Sequence, residues 1–200
     1  MDRRAISKAK ARLGLARKQL DAAAAAKSHP EFADHWYLFL IAAKNVYTVL
    51  EQGAKISPQS RQWFGGKKEI RRTDELLQYL FQARDDDEHG LGETTKYDPG
   101  FLKVGTPGPG HSRHMNLQIR SDGDGNMTID ADSLDGRPIG VQYQKPHSVL
   151  LTVNGRGNVR HRPPRYHLGQ ILEDRLPMAV GKLGLAYLEA LVSEAETRAA

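Results

Sequence analysis

Cysteine is absent from all 200 residues. Its absence excludes disulfide staples and thiolate zinc sites, and it fits a reducing, cytoplasmic setting. Long apolar runs are missing too. The longest, Trp36 to Ala43, falls far short of the roughly 20 residues that cross a bilayer. The chain opens Met1-Asp2-Arg3-Arg4 and passes directly into a charged helical pattern. No secretory segment and no membrane partner are therefore expected. What is present is ordinary for a folded chain: 39% apolar and 26% charged residues, which excludes wholesale disorder.

The net charge of +5 is unevenly spread. Met1 to Ala83 holds fifteen Lys and Arg against eight Asp and Glu, a net of +7. Arg84 to Gly100 holds two against six, a net of −4, and the remainder twelve against ten, a net of +2. A basic body with one acidic knot suits a polyanionic partner.

Ile6, Ala9, Leu13, Ala16 and Leu20 step by threes and fours, so a first helix presents one apolar stripe. Ser28-His29-Pro30-Glu31 reads as a capping box with proline in the first turn. The helix it opens carries Phe32, Trp36, Leu40, Ala43, Tyr47 and Leu50 on its main stripe and should be the most buried. Gly53 to Gly66 reads as a connection, and Thr73 as the N-cap of a third helix built on Leu76, Leu77, Leu80 and Phe81.

The pattern changes after Glu93. Lys103 to Ser112 is a Gly/Pro loop, and Met115 to Arg120, Met127 to Asp130, Ile139 to Tyr143 and Val149 to Val153 alternate as strands. From Leu168 the helical period returns, with Pro177 breaking it or opening its longer half. The expected fold is mainly α within the α+β class. A helical core over residues 1–95 is followed by an antiparallel β-meander insertion over 96–165 and a closing helix over 166–200.

The densest chemistry lies at the end of the third expected helix. Arg84-Asp85-Asp86-Asp87-Glu88-His89 places an arginine, four carboxylates and an imidazole in six consecutive residues. Asp85 and His89 are four apart, a spacing that lets a carboxylate fix an imidazole tautomer for proton transfer. Arg84 offers a planar fork for phosphate oxygens. Four acids in a last turn oppose the helix dipole at about 0.3–1 kcal/mol each. Local stability would not select that arrangement. The plain alternative is a solvated acidic helix end.

An arginine, a polar residue directly after it and a histidine a few positions on resemble the motif of the HEPN superfamily. Here these are Arg84, Asp85 and His89. The aromatic-rich helix over Phe32 to Leu50, the connection carrying Trp63 and the Leu-rich helix leading into the motif are similar as well. The resemblance covers about residues 1–95 and the closing helix. It implies an antiparallel helical bundle that forms a homodimer, with the two motifs facing each other. It also implies a metal-independent endoribonuclease, often a toxin or defence component with an antitoxin or other protein partner. His89 would transfer the proton, Arg84 would clamp the phosphate and Asp85 would orient one of them. The chain departs from the pattern at Asp86, Asp87 and Glu88, whose charges repel phosphate unless basic groups offset them.

Two basic clusters could do so. Arg156, Arg160, His161, Arg162, Arg165 and His167 crowd one segment without a single acid. Lys67, Lys68, Arg71 and Arg72 lie beside Trp63 and Phe64, which could stack on a base. Basic loops with nearby aromatics suit single-stranded nucleic acid, and the resemblance implies RNA. Surface solubility explains either cluster equally well taken singly.

Two other motifs fail. Gly105 to Ser112 has P-loop spacing, but His111 replaces the lysine and two prolines remove amide donors. Asp122 to Asp130 imitates a calcium loop, with Met127 where glycine belongs. His111 and His114 are three apart without partners, so no metal and no cofactor are expected. The leading expectation is an RNA-binding or RNA-cutting HEPN-like dimer. The alternatives are a non-catalytic protein-interaction module and a nucleotide-binding helical protein.

Overall fold

The computed structural model describes residues 1–89, 93–105, 114–122, 127–136, 140–155 and 159–199, with the side chains of Asp87, Glu88 and His89 outside the description. The fold is α+β and mainly helical, with small antiparallel sheets. Two compact units divide it: Met1–Tyr97 with Ser148–Ala200, and Asp98–His147.

The first unit holds five helices. α1 (Arg3–Ala25) starts where Asp2 accepts from the Arg4 amide, and it buries Ile6, Ala9, Ala16 and Leu20 as their spacing implies. α2 (His29–Ala54) is capped by Ser28, whose hydroxyl accepts from the Glu31 amide. It supplies most of the core, with Trp36, Phe39, Val46 and Leu50 fully buried. The Trp36 ring lies 6.3 Å from Phe32 and 5.3 Å from Phe39, offset contacts that add to simple area burial.

α3 (Pro58–Thr73) replaces most of the expected connection over Gly53 to Gly66. Ser57 caps it by accepting from the Ser60 amide at 3.1 Å, with Pro58 in its first turn. Gly65 and Gly66 sit inside this helix, each at a cost of about 1 kcal/mol relative to alanine. Burial of Phe64 and packing of Trp63 and Ile70 on the core offset that cost. α4 (Glu75–His89) follows at once. Its cap is Asp74 rather than Thr73, because Asp74 Oδ1 accepts from the Leu77 amide at 2.9 Å. Thr73 instead ends α3, its hydroxyl donating to the Glu69 carbonyl at 3.0 Å.

The closing helix, α5 (Pro177–Glu196), begins at Pro177 and not near Leu168. Leu168 and Gly169 take φ of 48° and 81°, the left-handed pair that closes a two-residue hairpin. That turn joins β9 (Tyr166–His167) to β10 (Gln170–Ile171). α5 approaches its neighbours closely through two glycines. A Cβ at Gly181 would lie 2.6 Å from Leu20 Cδ1, and one at Gly184 would lie 2.4 Å from Leu80 Cδ1.

The strands correct the expected meander. β1 (Thr95–Asp98) pairs with β6 (His147–Leu150), β2 (Phe101–Gly105) with β5 (Gly140–Gln144), and β3 (His114–Ser121) with β4 (Met127–Ser133). Each earlier strand meets a later one, so the pairs are nested. Part of the expected loop from Lys103 is strand β2; Thr106 to Arg113 lie outside the described residues. In β3–β4, Ile119 faces Ile129 while Gln118 faces Asp130 and Arg120 faces Thr128, the two-residue alternation of a ribbon. β7 (Val153–Asn154) pairs with β8 (Arg160–His161) in the first unit.

Residues 148–165, expected within the insertion, therefore belong with the helices. Tyr79 donates to the Leu151 carbonyl at 2.8 Å, and the Asn154 amide donates to Asp86 at 2.8 Å. Among the described residues no helix is long and apolar enough to cross a membrane.

Candidate nucleic-acid interface

Successive residues of α4 turn by about 100° around its axis, so Glu75, Gln78, Tyr79, Gln82 and Asp86 share one side. That side is fastened to the segment from Leu151 to Leu168. Glu75 accepts from the Arg165 amide at 2.9 Å, and Asp74 accepts from the Leu168 amide at 2.6 Å. His167 Nδ1 lies 3.0 Å from Asp74 Oδ1, with its ring edge-on to Tyr187. Asp86 is only 9% exposed. Loss of its carboxylate would orphan the Asn154 amide, so Asp86 works as a fastener and not as a solvated charge. Burial, then the charge of Asp86, raises the Tyr79 hydroxyl well above the ordinary phenol range.

On the same side a cleft of about 810 Å³ opens. Its walls include Glu75, Gln78 and Tyr79 of α4, and Val149, Leu150 and Thr152 of the returning chain. Arg160, His161, Arg162, Pro163 and Arg165 form one rim, and Glu173, Arg175 and Leu176 complete it. Four arginines thus face two glutamates. None of the four forms an ion pair with a described residue. The Arg165 guanidinium rests 5.9 Å from the Tyr166 ring. Burial lowers the His161 imidazole below its ordinary value, which favours its neutral form.

Arg84 faces away from this cleft, with Leu77 and Phe81. Its Nη1 donates to Asp85 Oδ1 at 3.1 Å, and Lys44 of α2 donates to the same oxygen. All three side chains are about a fifth exposed. Burial alone would raise the Asp85 carboxyl, but Lys44, then Arg84, outweigh it and hold it below its usual value. Lys44 also lies 4.4 Å from the Phe81 ring, with the Arg71 guanidinium 3.8 Å from that ring.

The structure thus separates what the sequence joins. Arg160, Arg162 and Arg165 meet at one cleft, while Arg84 and Asp85 lie on another side of α4. Arg156 lies outside the described residues, and His89 is described only as the last position of α4. Lys67 and Lys68 are each paired: Lys67 donates to Glu194 at 2.7 Å and Lys68 to Glu51. Phe64, expected to offer a stacking face, is 4% exposed in the core. Trp63 donates to Glu194 at 3.2 Å and carries Arg198 5.2 Å from its ring.

Sequence reasoning missed Glu75, Gln78, Tyr79, Glu173 and Arg175 as cleft residues, and Lys44 as the partner of Asp85. Only Arg175 had a local signal, since it extends the arginine density that begins at Arg160. Among the described residues no group of three or more histidines and carboxylates is placed to hold a metal ion. No protein-family model, curated protein or solved structure matches the chain.

Proposed function

We propose that this protein binds single-stranded RNA in the arginine cleft and cuts it without a metal, as a HEPN-like endoribonuclease acting as a pair of copies. One observation carries the reading: Arg160, Arg162, Arg165 and Arg175 converge on a single cleft whose walls, among the described residues, hold two carboxylates. Guanidinium forks match phosphate oxygens in pairs, and the apolar wall of Val149, Leu150 and Pro163 suits sugar and base. The resemblance assigns proton transfer to His89 and phosphate clamping to Arg84, with Asp85 orienting Arg84 through their hydrogen bond. Because Arg84 faces away from the cleft of its own chain, a second copy must bring the two together. Cleavage of RNA in EDTA, lost in both Arg84→Ala and His89→Ala while the circular dichroism spectrum is kept, is the expected result.

The second reading, a non-catalytic interaction module, draws on Asp85 and Asp86. Both are engaged in architecture, Asp85 by Lys44 and Asp86 by the Asn154 amide. Retention of a protein partner by both variants, with no RNA cleavage by any form, would favour that module.

A further inference from the structure

Among the described histidines, His161 borders the arginine cleft, at the end of β8 and between Arg160 and Arg162 in the chain. The others have different neighbours. His29 bonds Ser148, His35 bonds Gln19, and His167 is held by Asp74. His161 is packed against the bare Cα of Gly155, where an added Cβ would lie 2.6 Å from its Nε2 and 2.9 Å from Gln82 Oε1. Gln82 Oε1 is buried and has no hydrogen-bond partner among the described residues. His161 Nε2 and Gln82 Oε1 therefore flank the same point beside Gly155.

We propose that His161 is a second proton-transfer group for phosphodiester cleavage inside the cleft, with Arg160 and Arg162 clamping the scissile phosphate together with Arg84 of the second copy, and Gln82 positioning the ring. The proposal rests on the reading above, in which RNA occupies the cleft of a paired assembly, and adds the base that acts there. In the step, the ribose 2′-oxygen bonds to phosphorus as the phosphorus–O5′ bond breaks. His161 takes the 2′-hydroxyl proton, and the second copy's His89, in the role the reading above gives it, protonates the departing 5′-oxygen. The products are a 2′,3′-cyclic phosphate and a 5′-hydroxyl, and the arginines stabilise the charge gathering on the phosphoryl oxygens. A neutral imidazole can accept that proton, and burial favours the neutral form of His161. The charged groups around it are Arg160 and Arg162 on its own segment, Glu75 from α4, and Glu173 and Arg175 from the chain before α5.

The test uses the full chain and a labelled single-stranded RNA in EDTA. His161→Gln should lower the single-turnover rate by about 10²–10⁴-fold, with RNA affinity by anisotropy and melting temperature unchanged. His35→Gln should cut like wild type. Gly155→Ala, which pushes on the ring without removing it, should slow cleavage as well. The wild-type rate should fall on the acid side through a pKa below the ordinary imidazole value, and a 2′-deoxy residue at the cut should abolish cleavage. Wild-type cleavage by His161→Gln, or RNA that is bound but never cut, overturns the proposal and leaves the binding reading intact. An RNA that is not bound at all overturns both.

Discussion

On its α2 side, helix α4 brings Arg84 and Asp85 to Lys44 and the ring of Phe81. On its other side it faces Arg160, Arg162 and Arg165 across an open cleft. The two sides hold similar charges but differ in what those charges meet. Toward α2, Lys44 and Arg84 share one carboxylate oxygen, so part of their charge is offset within the chain. At the cleft, arginines outnumber carboxylates two to one, and their charge is available to an anion from outside. Where a cation is paired matters more than how many cations a segment contains. Lys67 and Lys68 make the same point, since each of these promising lysines is tied to a glutamate.

The largest effect on stability is expected from Asp86→Ala, which removes a buried carboxylate and leaves the Asn154 amide without its acceptor at a part-buried site. The cost should be about 1–3 kcal/mol, read as a lower urea midpoint at unchanged slope. An unchanged midpoint would show that α4 is not fastened to β7 through this carboxylate. A smaller, pH-dependent effect is expected from Asp85→Asn. Its carboxyl lies below the unfolded value of about 3.9, so its contribution is full above that pH and fades as pH falls through the folded value. Wild type should therefore lose more stability than Asp85→Asn as pH falls from above about 3.9 into the more acid range, and equal losses would contradict the Lys44 pairing. The smallest effects belong to Lys67→Ala and Lys68→Ala. Each should change stability by about 0–1 kcal/mol and leave RNA affinity where it was. A clear fall in affinity would move the RNA site toward α3.

The elements most legible in the sequence were those whose own residues carry the signal. The stripes of α1 and α2 and the Ser28 capping box needed no tertiary information. α3 was obscured because Gly65 and Gly66 outweighed the Ser57-Pro58 start signal, and only packing of Phe64 shows why the helix persists. The strands were visible as alternation, but their nested pairing was not, since alternation does not say which strand is the partner. Of the cleft, the arginine density from Arg160 to Arg165 was plain. Its α4 wall was not, because Glu75, Gln78 and Tyr79 reach it only through folding. Lys44 and Asp85 are 41 residues apart, and nothing local links them.

RNA binding on the cleft side of α4 is read out by the salt dependence of affinity. Anisotropy of a labelled single-stranded RNA would be measured from low to moderate salt for wild type, for Arg160→Ala combined with Arg162→Ala, and for Lys67→Ala. The double variant is expected to bind more weakly, with a log–log salt slope shallower by about 1.4, as follows from two lost phosphate contacts, while Lys67→Ala, whose ammonium is already held by Glu194, keeps the wild-type slope. A double variant with the wild-type slope, or a slope altered by Lys67→Ala alone, would place the RNA elsewhere on the molecule.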